Sequence, residues 1–196
     1  MRYKLKQIHC RPWTLSYLSV KLIESHYENN YGGALRRLNA ITEQLESLDF
    51  ANTPAHVLNG LKREELVALN STLLHELYFA SMGGEGKVTP AMSEALVRDF
   101  GSVQNWRTDL KATGMAGRGW AWTAYDWDEG HLFNYIGDAQ NTFPIWNATP
   151  LVALDVYEHA YFIDYQTDRA SYVDAFFENL DWQVVNGWVA SYSIPF

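Results

Sequence analysis

The spacing of apolar residues changes period once along this chain, and that change limits the folds open to it. From Ser19 to Met82, apolar side chains recur three and four positions apart, the spacing of a helix face. After the glycine-rich stretch Gly83-Gly84-Glu85-Gly86, the run Gly119 to Trp127 alternates in steps of two, as a strand does. A helical first part followed by a mixed second part reads as α+β: an N-terminal helical hairpin, then an α/β domain with a three-stranded antiparallel sheet. The glycines mark an interdomain linker, which divides the chain into 1–86 and 87–196.

In the first part, Ser19 is a candidate N-cap. Leu22, Ile23, His26, Tyr27, Asn30, Tyr31, Ala34, Leu35 and Leu38 follow at helical spacing. Gly32-Gly33 cost about 1 kcal/mol each relative to alanine in a helix and predict a kink or break. Ala51 to His56, around Pro54, reads as a loop, and a second helix runs from Leu61 to Met82. Leu66, Leu69, Leu73 and Leu77 form its main stripe, while His75 shares another apolar side with Ser71, Tyr78 and Phe79. The second part begins with helices at Pro90–Phe100 and Val103–Thr113. Strands follow at the alternating run, at His131–Ile136 and at Leu151–Leu154, then helices at Val156–Tyr165, Tyr172–Asn179 and Trp182–Val189.

Composition excludes several classes. With 196 residues and 47% hydrophobic content the chain has a proper core. No apolar run approaches the roughly 18–20 residues of a membrane helix. The basic start of the chain has no apolar h-region, and the one cysteine, Cys10, rules out an intramolecular disulfide; both fit a cytoplasmic protein. A net charge of −8 argues against nucleic acid as the main partner.

The chemistry-bearing stretch is Asp155-Val156-Tyr157-Glu158-His159-Ala160-Tyr161. It sets a carboxylate and an imidazole four residues apart, on one face if the segment is helical, just after an apolar strand. Such a pair suits iron, manganese or zinc. A D-x-x-x-H pair also occurs as a plain surface pair, and spacing does not choose between them. Likewise, His26 on its apolar face is either a hydrogen-bonded core residue or a ligand. His9, His56 and His131 have no partner at ligand spacing and receive no role.

The sequence D-V-Y-E-H-A-Y at 155–161 resembles the C-terminal signature D-V-W-E-H-A-Y of the iron/manganese superoxide dismutases, with Tyr157 in place of tryptophan. S-V-K-L-I-E-S-H-Y at 19–27 resembles the segment holding that family's first ligand, and L-L-H-E-L-Y-F at 73–79 the segment holding its second. G-R-G-W-A-W at 117–122 resembles G-S-G-W-x-W. The resemblance runs from about Leu18 to Val189. It implies that His26, His75, Asp155 and His159 hold one Fe or Mn ion per subunit. The ion would cycle between +2 and +3, converting superoxide to dioxygen and hydrogen peroxide. It also implies roles for Gln140 in hydrogen bonding the reacting solvent, for Trp120 in the aromatic wall and for Arg169 in steering anions. Glu158, with His159, would join two subunits in a homodimer.

This chain departs from the family pattern in a cluster. Ala34 and Asn30 stand where the family has its gateway tyrosine and histidine, Asn29 where it has a lysine, and Phe162 where it has the tyrosine that bridges to the gateway histidine. Phe79 and Tyr157 replace tryptophans, and Ser71 stands at the position of the iron-type glutamine. Two other readings are therefore weighed. One is a different mononuclear metalloenzyme on the same scaffold, because three histidines and a carboxylate also support oxygen or hydrolytic chemistry. The other is a non-catalytic interaction protein.

Overall fold

The computed structural model describes residues 3–140 and 145–196. Ser19 opens the first helix, as expected, its hydroxyl accepting the Leu22 N–H at 3.1 Å. Helix α1 (Val20–Ser25) runs into a wide π-turn (His26–Tyr31) and then α2 (Gly32–Glu46). The expected break at Gly32-Gly33 does not occur. The perturbation falls one turn earlier, where i→i+5 bonding brings residues five apart nearly onto one face, and both His26 and Tyr31 point inward and are buried. The glycines serve a close approach instead: a Cβ at Gly32 would stand 3.1 Å from the Arg36 guanidinium folded back over it.

Helix α3 (Ala55–Ala80) begins six residues before the expected Leu61. Its first turn is largely exposed, so no apolar stripe marks it. Pro54 precedes it, a residue compatible with a helix start. Helices α2 and α3 pack through Leu38, Ile41, Leu45 and Ala68, forming the hairpin. Beyond it, α4 (Pro90–Phe100) has Thr89 as cap and Pro90 at its first position, and α5 (Val103–Ala116) is capped by Ser102. Gly101 between them takes φ +80°, which glycine adopts without a steric penalty.

Strands β1 (Trp120–Asp126), β2 (His131–Gly137) and β3 (Ala148–Asp155) form an antiparallel sheet in the order β2-β1-β3. The period of two in β1 proves to be one of size rather than polarity, since nearly all of the strand is buried. Trp120 and Trp122 stack on one face, 6.4 Å apart. Ala121 and Thr123 lie on the other, against α5, where the Trp106 indole donates to Thr123 Oγ1 at 2.8 Å. Gly114 lets α5 come close: a Cβ there would sit 2.9 Å from Leu154 Cδ2. Trp120 pairs with Gly137 on one side and Asp155 on the other, so one end of the sheet carries Trp120 and Asp155 side by side.

The expected helix from Val156 to Tyr165 is corrected. Val156 N–H still donates to Gly119 O, Tyr157 is extended, Glu158–Ala160 make a single tight turn, and only α6 (Phe162–Tyr165) is α-helical. Helices α7 (Arg169–Glu178) and α8 (Trp182–Ser191) complete the chain, capped by Asp168 and Asp181. One hydrophobic core joins the two parts of the chain, from Leu22 and Tyr78 through Trp120 to Phe176. No described helix is long and apolar enough to cross a membrane.

Candidate metal centre

Four side chains from four places in the fold converge at the end of the sheet. His26 comes from the π-turn, His75 from α3, Asp155 from the last position of β3, and His159 from the tight turn after it. Asp155 and His159 meet, but not as neighbours on a helix face: the chain leaves the strand, turns, and brings the imidazole back to the carboxylate. Asp155 Oδ1 accepts the Tyr157 N–H at 3.0 Å, which fixes the carboxylate and turns Oδ2 towards the histidines. The Tyr172 hydroxyl donates to the Asp155 carbonyl at 2.7 Å and anchors the same residue from behind.

Three imidazole nitrogens then face one oxygen. His26 Nε2 and His159 Nε2 lie 3.1 Å from Asp155 Oδ2, and His75 Nε2 lies 3.5 Å from it. One potential ligand atom from each of the four residues lies within 4.8 Å of the others. Ligands bound at about 2.1 Å to one ion stand about 3.0 Å apart at right angles and about 3.6 Å apart at 120°, so the separations match a shared ion. Tautomers point the same way. His75 Nδ1 donates to Ser71 O at 2.6 Å, so Nε2 carries the lone pair. That lone pair is buried, without a hydrogen-bond partner, and aimed at a carboxylate oxygen that is also an acceptor. Two buried acceptors facing each other repel unless a cation stands between them.

Burial pulls His26 and His75 below the ordinary histidine value, His75 to about 4, so both are neutral and ligand-ready at pH 7. For Asp155, burial pushes up, but the charges and hydrogen bonds of His159 and His26 outweigh it and hold the carboxyl well below its usual range. Burial lowers His159 and the Asp155 charge more than reverses it, so the net direction is up.

Aromatic rings wall the cluster. Trp120 meets His75 edge-on at 5.3 Å, Phe79 lies 5.0 Å from His26, and Tyr157 stacks on His159 at 5.4 Å. Phe79 and Tyr157 thus both line the cluster. The Trp120 indole donates to Gln140 Oε1 at 3.2 Å, while Asn70 Nδ2 donates to Gln140 O at 2.7 Å. Gln140 therefore lies against the wall of the cluster.

Arg169 is not a surface residue reaching into solvent. Its guanidinium is half-buried, donates to Gly117 O, Gly114 O and the Tyr161 hydroxyl, and sits 5.7 Å over the Tyr161 ring. Glu158 is exposed and His159 half-exposed, beside the exposed Phe162 and Ile163. Sequence reasoning placed Tyr31 in the core but overlooked its contact with the site, and it missed Glu76. Tyr31 stacks on His75 at 6.3 Å, and its hydroxyl donates to Glu76 Oε1. The available signals were an aromatic residue five positions after His26 and a carboxylate directly after His75, the one acidic residue in the otherwise largely apolar last two turns of α3.

A profile of the iron/manganese superoxide dismutases, C-terminal domain, matches residues 88–187. An iron superoxide dismutase of Cupriavidus metallidurans is 50% identical over 187 residues, which cover 93% of this chain and 94% of that protein. One from Aquifex pyrophilus is 37% identical, covering 91% of this chain and 87% of its own. A manganese superoxide dismutase of Halobacterium salinarum is 34% identical, covering 85% and 84%.

Proposed function

This chain belongs to the iron/manganese superoxide dismutase family, and from that premise we propose that it dismutates superoxide at an iron or manganese ion held by His26, His75, Asp155 and His159. The observation that carries the assignment of these four residues is the approach of three imidazole nitrogens, at 3.1, 3.1 and 3.5 Å, to one carboxylate oxygen. A bound ion would supply one-electron chemistry between +2 and +3, by which two superoxide anions and two protons become one dioxygen and one hydrogen peroxide.

The chain's own residues prepare that chemistry. Ser71 O holds the His75 ring in the tautomer that presents Nε2. Tyr157 N–H occupies Asp155 Oδ1 and leaves Oδ2 for the ion. The aromatic rings of Trp120, Phe79 and Tyr157 pack against His75, His26 and His159 in turn. With Gln140 Oε1 taken by Trp120, its amide Nε2 is the donor end, and we assign it the hydrogen bond to the reacting solvent or dioxygen species. Arg169 adds a fixed positive charge behind Tyr161 in a protein whose net charge is −8, which favours approach of an anion.

Glu158 and His159 are assigned to the contact between two copies of this chain. Their exposure next to Phe162 and Ile163 supports a surface meant to be covered. Residues 1–86 and 87–196 are proposed as the two domains, and the cytoplasm as the compartment. Metal content of His159→Ala tests the site: purified protein is expected to lose its ion, and retained stoichiometric metal would overturn the ligand assignment.

A further inference from the structure

We propose that Tyr31 is a positioning residue of the metal centre, wedged on His75 and held there by Glu76 and the backbone of Lys6, so that the N-terminal segment forms part of the wall of the site. The inference rests on the metal-site reading above and extends it to residues outside the ligand set.

The π-turn swings Tyr31 onto the His26 face, where the ring is buried. It lies nearly parallel to the His75 ring, at 22°, and 6.3 Å from it. Phenylalanine would fill the same space without a hydroxyl. A buried hydroxyl costs free energy unless it is paired, and this one is paired twice. It donates to Glu76 Oε1 at 3.0 Å and accepts the Lys6 N–H at 2.9 Å. Glu76 follows His75 directly in α3, so the phenol is tied to the same helical turn as the ligand it covers.

Lys6 closes the arrangement with every polar group it has. Its N–H donates to Tyr31, its carbonyl accepts from the Tyr27 hydroxyl at 2.6 Å, and its ammonium pairs with Glu76 Oε2. Residues 3–8 carry no regular secondary structure of their own. Asn39 pins the segment again at Tyr3, donating to its carbonyl and accepting its N–H. The His75 imidazole is thus fixed at Nδ1 by Ser71, at one edge by Trp120, and on its face by a tyrosine whose position depends on this clasp.

The test loads the full chain with iron and compares Tyr31→Phe, Glu76→Ala, Glu76→Gln and the double variant Tyr31→Phe/Glu76→Ala. Two readouts avoid activity: the ferric electron paramagnetic resonance spectrum and the rate of iron release to a chelator. Tyr31→Phe keeps the ring and loses only the hydroxyl. It is expected to shift the spectrum and speed release about tenfold, the usual scale for residues that support a ligand. Glu76→Ala should match it, the double variant should add nothing, and Glu76→Gln should stay near the parent because its amide oxygen still accepts from the phenol. A Tyr31→Phe protein with the parent's spectrum and release rate would overturn the proposal, and so would a Glu76→Gln protein as impaired as Glu76→Ala. A parent protein that binds no iron or manganese would instead overturn the metal reading beneath it.

Discussion

Asp155 is asked to satisfy three histidines with one oxygen, and hydrogen bonding alone does not let it succeed. His26 and His159 can donate to it, but His75, its Nδ1 proton committed to Ser71, cannot. A cation resolves the conflict, which is why the cluster reads as a metal site rather than a buried ion-pair network. Asp155→Asn is therefore expected to abolish stoichiometric metal binding, measured by elemental analysis of purified protein. Tyr172→Phe removes only the hydroxyl that anchors the Asp155 backbone. It should cost about 1 kcal/mol of stability, read from chemical denaturation, with metal still bound. The four clustered residues were legible in the sequence because a D-x-x-x-H pair beside a strand and two histidines on helix stripes matched a known pattern. The clasp around His75 was not. Its partners, Lys6, Tyr31 and Glu76, are brought together only by tertiary packing, and a single glutamate on a helix gives no sign of whether it faces solvent or a phenol.

At the scale of elements, the site depends on where the sheet ends. Gly119, just before β1, accepts the Val156 N–H, and a Cβ there would lie 2.6 Å from Gly137 O and 2.9 Å from Tyr157 Cζ. Gly119→Ala is expected to destabilise the protein by about 1–3 kcal/mol and to lower metal occupancy, because the displaced Tyr157 stacks on His159. A second seam joins α4 to β2 through Asp99, which accepts the Leu132 N–H and pairs with Arg98. Burial raises the Asp99 carboxyl, but the hydrogen bonds of Arg98 and of the Leu132 amide outweigh it, and the net direction is down from 3.8. A lowered folded value means stability that is complete above the ordinary carboxylate value and lost as pH falls through the folded one. Asp99→Asn should therefore flatten the acid limb of the stability curve below about pH 4, measured by thermal melts across pH. The first strand was legible from its period of two, although that period encodes large against small side chains. The start of α3 was not, because its first turn carries no buried stripe. The stretch after Asp155 misled for a related reason: four-residue spacing suits a helix, yet a strand end followed by a tight turn also closes it.

For the whole molecule, the division between helical hairpin and mixed part appears in the sequence as a change of period, but their shared core does not. Tyr78 of α3 packs on Phe176 of α7, nearly a hundred residues away, and the same core supports the metal cluster. Assembly is the next level. If Glu158 and His159 meet a second copy, Glu158→Lys is expected to shift the protein from dimer towards monomer in analytical ultracentrifugation, and an unchanged distribution would remove that face from the interface. The central claim is that the four-residue cluster holds an ion used to dismutate superoxide, and it is tested most directly by the rate of superoxide decay per bound ion. Protein would be loaded separately with iron and with manganese and followed after a pulse of superoxide. The account predicts catalytic decay that scales with bound ion for at least one metal. Full occupancy of the site by both metals in turn, with superoxide decaying no faster than in buffer, would contradict it.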